Sequence, residues 1–128
     1  MKKLTIFIFI FIFLISSIFV GCAPDLISNE NVKTINSSDN KYFAVLFKRD
    51  GGATTPNSLQ VSLYKKGAKI NNDKGNVFIS NRIDLVDIEW NDKGALVVKY
   101  NGSDDDVLKK ITSKYNAKIE YISDSTLK

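Results

Sequence analysis

The sequence predicts an all-β or mainly β domain, a small twisted antiparallel sheet or open sandwich of about six strands. Three observations predict it. Apolar and polar residues alternate at period two across residues 59–64 and 84–90, as in strands with one buried face. The stretch "KYFAVLFKR", residues 41–49, is apolar on both alternating sets, which marks a strand covered on both sides. Between these runs lie "DGGATTPN", "NNDKGN" and "NDKG", clusters whose residues favour turns.

Taken in order, residues 22–36 read as a polar tether, with Lys33, Thr34 and Ile35 as a stray strand at its end. Asp39 and Asn40 supply a turn before the strand at 41–49, where Tyr42, Ala44 and Leu46 share one face and Phe43, Val45 and Phe47 the other. Residues 50–57 form a loop, because Gly51 and Gly52 allow positive φ and Pro56 cannot continue a ladder. Next, Leu59, Val61 and Leu63 face a core while Gln60, Ser62 and Tyr64 form a wet face. A turn at 71–76 leads to a short strand at 77–80. Val86, Ile88 and Trp90 then point inward, the "NDKG" turn follows, and residues 95–100 return as the hairpin partner. The predicted core includes Val45, Phe47, Leu63, Ile88, Trp90 and Val98.

The C-terminal part admits two readings. Ser103 before three aspartates fits the start of one short helix, with Leu108, Ile111 and Tyr115 on one face. Val107, Lys109 and Ile111 also alternate as in a strand, and residues 117–123 read as strand. The β domain is therefore expected over residues 37–124.

The N-terminus has a different character. Lys2 and Lys3 precede a run from Leu4 to Val20 broken only by Thr5, Ser16 and Ser17, the order of a secretory signal. Phe19-Val20-Gly21-Cys22 resembles a bacterial lipobox. That resemblance implies a signal peptide over residues 1–21, cleavage before Cys22, a diacylglycerol on its sulfur and acylation of the new amine by a chain such as palmitate. Phe19 stands where the motif usually has Leu. A retained apolar anchor, with Cys22 a bystander, is the alternative. Either one ties the domain to a cell membrane or outer membrane on its extracytoplasmic side.

Composition narrows the chemistry. Cys22 is the only cysteine and the chain has no histidine, which removes the commonest general base and metal ligand. Without Lys2 and Lys3 the remaining 16 basic and 14 acidic side chains leave a net charge of +2, too small to point to nucleic acid.

The stretch "KYFAVLFKRDGGATT", followed by "VSL" and "GNVFIS", resembles a family of small bacterial envelope proteins and lipoproteins of unknown function. Its pattern runs S-P-D-G-x-Y-x-A-V-x-F, R-x-C-G-A-T-T, V-S-I and G-N-V-F. Tyr42, Ala44, Val45, Phe47, Arg49, Gly52, Ala53, Thr54 and Thr55 match, as do Val61, Ser62, Gly75, Asn76, Val77 and Phe78. Ser38, Asn40 and Gly51 depart from it, standing in place of Pro, Gly and Cys. The resemblance covers residues 38–100 and brings no activity with it.

Candidate sites follow. Arg49, Asp50, Gly52, Thr54 and Thr55 could cradle an anion through a cation, loop amides and hydroxyls. With no GxxxxGK[ST] motif and no helix to follow, the same residues read more simply as a tight connection in which Asp50 and the threonines bond the loop's own amides. "NGSDDD" at 101–106 has oxygens for calcium but not the EF-hand spacing, and reads as a turn and cap. Asp87 and Glu89 read as a solvated sheet face, and Trp90 and Tyr100 as core rather than a ligand platform. The expected protein is a membrane-anchored binding or structural module, not an enzyme, without cofactor or metal. Its expected partners are membrane lipid, through acylated Cys22, and an envelope protein. The alternative is an envelope enzyme or ligand-binding protein using residues 49–55.

Overall fold

The computed structural model describes residues 27–52 and 55–128. These residues form two facing sheets, so the open sandwich, rather than a single sheet, is the architecture found. The strands are β1 (Ser28–Asn36), β2 (Tyr42–Asp50), β3 (Ser58–Lys65), β4 (Phe78–Ser80), β5 (Val86–Trp90), β6 (Leu96–Tyr100), β7 (Val107–Lys110), β8 (Ser113–Lys114) and β9 (Ala117–Ser123). One sheet has the order β1-β2-β3-β4-β7 and the other β5-β6-β9-β8. Every pairing is antiparallel except β6 with β9, which is parallel.

The core between the sheets is built from alternate residues, as period-two burial requires. Ala44, Leu46, Val61, Leu63 and Phe78 meet Ile88, Leu96, Val98, Tyr100 and Ile119. Of the six core residues predicted, five are buried and Trp90 is half-buried at the core margin. The predicted hairpin forms with Val86 opposite Tyr100 and Trp90 opposite Leu96. Its turn is closed by the Asn91 side chain, whose Oδ1 accepts from the amides of Lys93 at 3.0 Å and Ala95 at 2.9 Å.

Three expectations are corrected. Residues 28–36, read as the outer part of the tether, form β1, which pairs with β2 along its length. The helix considered near the C-terminus reduces to a single 3-10 turn, Asp104–Asp106, followed by β7. The wet face expected on β3 is dry: Gln60, Ser62 and Tyr64 are 4%, 1% and 9% exposed.

The connection between β3 and β4 explains that last difference. It folds back over the outer face of the first sheet, and its own polar groups pair with the side chains it covers. The Gly75 amide donates to Gln60 Oε1 at 2.7 Å and the Asn76 amide to Ser62 Oγ at 3.1 Å. Beneath the same segment Val45, Phe47 and Tyr64 form a second small cluster. Arg49 Nη1 bonds Asn29 Oδ1 at 2.7 Å and the Asn72 carbonyl at 2.9 Å, joining β1 to the returning segment.

Strand β4 has only three residues, yet side chains prolong its ladder at both ends. Asn76 accepts from the Leu63 amide at 2.8 Å and donates to the Leu63 carbonyl at 3.0 Å. Ser80 Oγ does the same for Leu59, at 3.1 Å and 2.7 Å. Gly75 must lack a side chain here, because a Cβ would lie 2.5 Å from the Phe78 carbonyl oxygen. These contacts account for "GNVF" in physical terms: close approach, ladder mimicry, then two core residues.

Strand directions define two poles. The entry pole, where β1 begins, holds the loops at 50–57, 81–85 and 101–106 and the C-terminal residues. The far pole holds the turns at 37–41, 65–67, 91–95 and 115–116. Both poles carry both signs of charge. Asp50, Asp73, Asp84, Asp104, Asp105, Asp106 and Asp124 lie at the entry pole with Lys48, Arg49, Lys74, Arg82 and Lys128. Lys41, Lys65, Lys66, Lys93, Lys114 and Lys118 lie at the far pole with Asp39, Asp92 and Glu120.

Candidate functional site

The loop after β2 sits at the entry pole beside residue 27. Arg49, Gly51, Thr55, Pro56, Lys74, Ile79 and Leu108 contribute to a groove of about 490 Å³. The structure therefore brings Arg49 and Thr55 together, as the candidate site requires. Asp50 does not turn its carboxylate to the groove. It accepts from the Gly52 amide at 2.9 Å, and so takes up a loop donor that an anion would need. The Arg49 guanidinium is partly engaged by Asn29 and Asn72. Gly52 has φ of 91°, the left-handed conformation that glycine adopts freely. A Cβ on Gly51 would lie 2.5 Å from Thr55 Cβ, so the Cys of the resembled pattern could not replace it without a shift of the loop. Thr54 and Cys22 both lie outside the described residues.

A second polar cluster was not legible beforehand. Tyr100 is 1% exposed, and its hydroxyl donates to the Asp104 carboxylate. Lys110 Nζ reaches the Tyr100 oxygen at 3.1 Å and Asp104 Oδ1 at 3.0 Å, and stands 5.0 Å from the ring centre of Tyr121. The Tyr100 hydrogen bond and then Lys110 hold the Asp104 carboxyl below the usual carboxylate range. Burial, with the Asp104 bond, pushes the Tyr100 hydroxyl up. Burial opposes the charge on Lys110, but its bonds to Tyr100 and Asp104 outweigh that and hold its ammonium on. Burial likewise pushes the Tyr121 hydroxyl up to about 12, while it donates to the Ile111 carbonyl at 2.6 Å. The cluster clasps β6 to the 3-10 turn and β7. A buried tyrosine with a raised pKa, beside a carboxylate already saturated, is poorly suited to acid–base work near neutral pH. The signal was invisible in sequence because the partners sit on a turn and an edge strand whose fold was undecided.

The two carboxylates of β5 are engaged in pairs. Asp87 meets Lys33 of β1 at 2.6 Å, a bridge between the two sheets, and Glu89 meets Lys99 at 2.8 Å. Within residues 101–106, Ser103 Oγ accepts from the Asp105 amide, which makes the stretch a turn and cap. Among the described residues no group of three or more His, Cys, Asp or Glu could hold a metal ion. Among them too, no helix is long and apolar enough to cross a membrane.

A family of unknown function, DUF5412, matches residues 1–118. The chain belongs to that family. The DUF5412 match takes in the apolar N-terminal run, Cys22, the loop at 50–57 and both sheets, up to the second residue of β9. No curated protein and no solved structure matches the chain.

Proposed function

We propose that this DUF5412 protein is a lipoprotein of the bacterial cell envelope, held on the membrane by acylated Cys22, whose β-sandwich is a non-catalytic binding module. The observation that carries the reading is the order of the N-terminus: Lys2 and Lys3, the apolar run 4–20, Gly21, Cys22, and then a sandwich that starts at Ser28. Few residues separate the acylation site from β1, so the chain passes from anchor to folded domain with little linker. Two acyl chains or more give a stable anchor, whereas one is marginal. The family match takes in residues 1–118, so the apolar run lies within the stretch that DUF5412 covers. Engagement of Asp50, Asp87, Glu89 and Asp104 in structural contacts supports binding over catalysis.

The test is intact mass of the purified protein together with fatty-acid labelling in cells. The expected mass is that of residues 22–128 plus lipid, with label lost in Cys22→Ser. An unlipidated full-length mass would overturn the lipoprotein reading in favour of a retained apolar anchor.

A second reading places ligand binding or envelope enzymology in the entry-pole groove. It is favoured by one observation, the convergence of Arg49 and Thr55 on a groove of about 490 Å³. Loss of a bound small molecule from Thr55→Val, with folding intact, would support it.

A further inference from the structure

We infer that the entry-pole groove takes a single-chain fatty acid, with its carboxylate on Arg49 and its tail running to Leu108. The inference rests on the second reading above, that this groove holds a ligand, and names the class of that ligand. The groove crosses the first sheet. Its lining passes from Arg49 of β2 through Ser58 and Gln60 of β3 and Ile79 of β4 to Leu108 of β7. Three strand spacings separate β2 from β7, about 14 Å in all.

The head end is set by Arg49. Its Nη1 donates to Asn29 Oδ1 at 2.7 Å and to the Asn72 carbonyl at 2.9 Å, which occupies both Nη1 hydrogens and fixes the guanidinium plane. Nε and Nη2 make no hydrogen bond among the described residues. Those two nitrogens form one side of the fork, the geometry that holds a carboxylate through two parallel bonds. Lys74 adds a second positive charge to the groove, and neither cation has an acidic partner within ion-pair distance among the described residues. Asp50 is committed to the Gly52 amide, so the anion meets the guanidinium rather than the loop amides.

The tail end is set by Leu108. At 69% it is the most exposed large apolar side chain among the described residues, and it stands on an edge strand with no neighbour beyond it. Ile27, Pro56 and Ile79 continue the apolar lining. A short anion such as acetate would satisfy Arg49 and leave all of this uncovered. A carbon chain advances about 1.3 Å per methylene, so about 11 methylenes cover the three strand spacings. The groove volume of about 490 Å³ lies toward the small end for ligand sites, which favours one chain over two.

The experiment uses the full chain in phosphatidylcholine nanodiscs, with dodecanoate carrying a diazirine at its terminal carbon as the probe. After irradiation and tryptic digestion, the adduct is expected chiefly on residues 100–109, which hold Leu108, and then on residues 75–82, which hold Ile79. Unlabelled dodecanoate is expected to compete at least about tenfold better than dodecanol, whose neutral head cannot make the charge-assisted pair, and acetate is expected not to compete. Arg49→Gln is expected to lower labelling at least about tenfold. Because Arg49 also joins β1 to the returning segment, Leu108→Gln is the second variant. It alters an exposed side chain, is expected to melt with the parent, and is expected to lower labelling at least about threefold. Parental labelling of Leu108→Gln would overturn the inference, as would adducts confined to residues 4–20. So would equal competition by dodecanol, or stronger competition by dodecyl phosphate, which would assign the cations to a phosphate head. Failure here is distinct from failure of the groove as a site: a bound molecule of another class, lost in Thr55→Val, would refute the fatty acid and leave the groove standing.

Discussion

Replacing Asn76 by Ala should destabilise the sandwich by about 2–4 kcal/mol. Its side chain makes two hydrogen bonds to Leu63, at 2.8 Å and 3.0 Å, where the short β4 has already ended. Each such bond contributes about 0.5–1.5 kcal/mol net, and a buried group left unpaired costs about 1–3 kcal/mol. Leu63 is fully buried, so its amide and carbonyl reach water only through the space that the truncation opens. Small domains have about 5–15 kcal/mol in total, and the loss is therefore readable in urea unfolding as a shifted midpoint at unchanged m. Asn76→Asp sharpens the test. The carboxylate still accepts from the amide but sets a second acceptor against the Leu63 carbonyl, so at pH 7 it should be no better than Ala. That repulsion raises the folded-state pKa of the new carboxyl above its unfolded value. Its favourable contribution is then fully present below about pH 4 and lost as pH rises through the folded pKa. The parent protein should run the other way. Asp39, Asp87, Asp104, Glu120 and Asp124 all have lowered pKa values, so it loses stability as pH falls toward and below about 4. A cost under about 0.5 kcal/mol for the Ala variant, or an Asp variant with the parent's pH slope, would refute the role assigned to this side chain.

Two further outcomes are expected. Phe47→Ala should cost about 3 kcal/mol, the lower end for a large core aromatic, because Phe47 lies in the outer cluster beside a shallow depression lined by Asn29, Ile70 and Asn72 rather than between the sheets; an unchanged thermal midpoint would show that the returning segment does not seal that face. Tyr121, with its pKa pushed up to about 12 against an unfolded value near 10, should ionise only well above pH 10 in an ultraviolet titration. Its contribution is intact below about pH 10 and falls by about 2–3 kcal/mol as pH rises toward 12, and a Tyr121→Phe variant whose folded-state titration matches the parent's above pH 10 would contradict the burial described.

Local patterns were legible where local physics decides structure. The doubly apolar run 41–49 became β2, and the alternation on either side of Asn91-Asp92-Lys93-Gly94 became the β5–β6 hairpin. What was not legible depended on partners distant in sequence. Gln60 and Ser62 look like surface residues, and only the amides of Gly75 and Asn76, folded over them, make their burial possible. Polar β1 has no fully buried residue and is a strand because β2 offers it an edge. Three aspartates suit a helix start, but Asp104 is drawn to Tyr100 and Lys110, and the chain turns once and extends. In the candidate loop Arg49 and Thr55 line one groove, and sequence could not show that Asp50 closes on the Gly52 amide. Tyr115 drew notice only as a helix-face residue, since its left-handed backbone conformation and the approach of Lys65 to its ring arise only in the fold.

The parallel pairing of β6 with β9 sets the order in which this molecule can assemble. Between these two strands the chain crosses to the other sheet, forms β7 and returns through β8. The second sheet therefore lacks its central member until nearly all of the chain has been made, and Ile119, buried at 2% exposure, has nowhere to seat before then. Such late, non-local closure is slow relative to neighbour-on-neighbour hairpins. A nascent chain still short of β9 should thus remain loose, with Leu96, Val98 and Tyr100 uncovered on one side. Until then an incomplete chain is exposed to proteolysis or to aggregation.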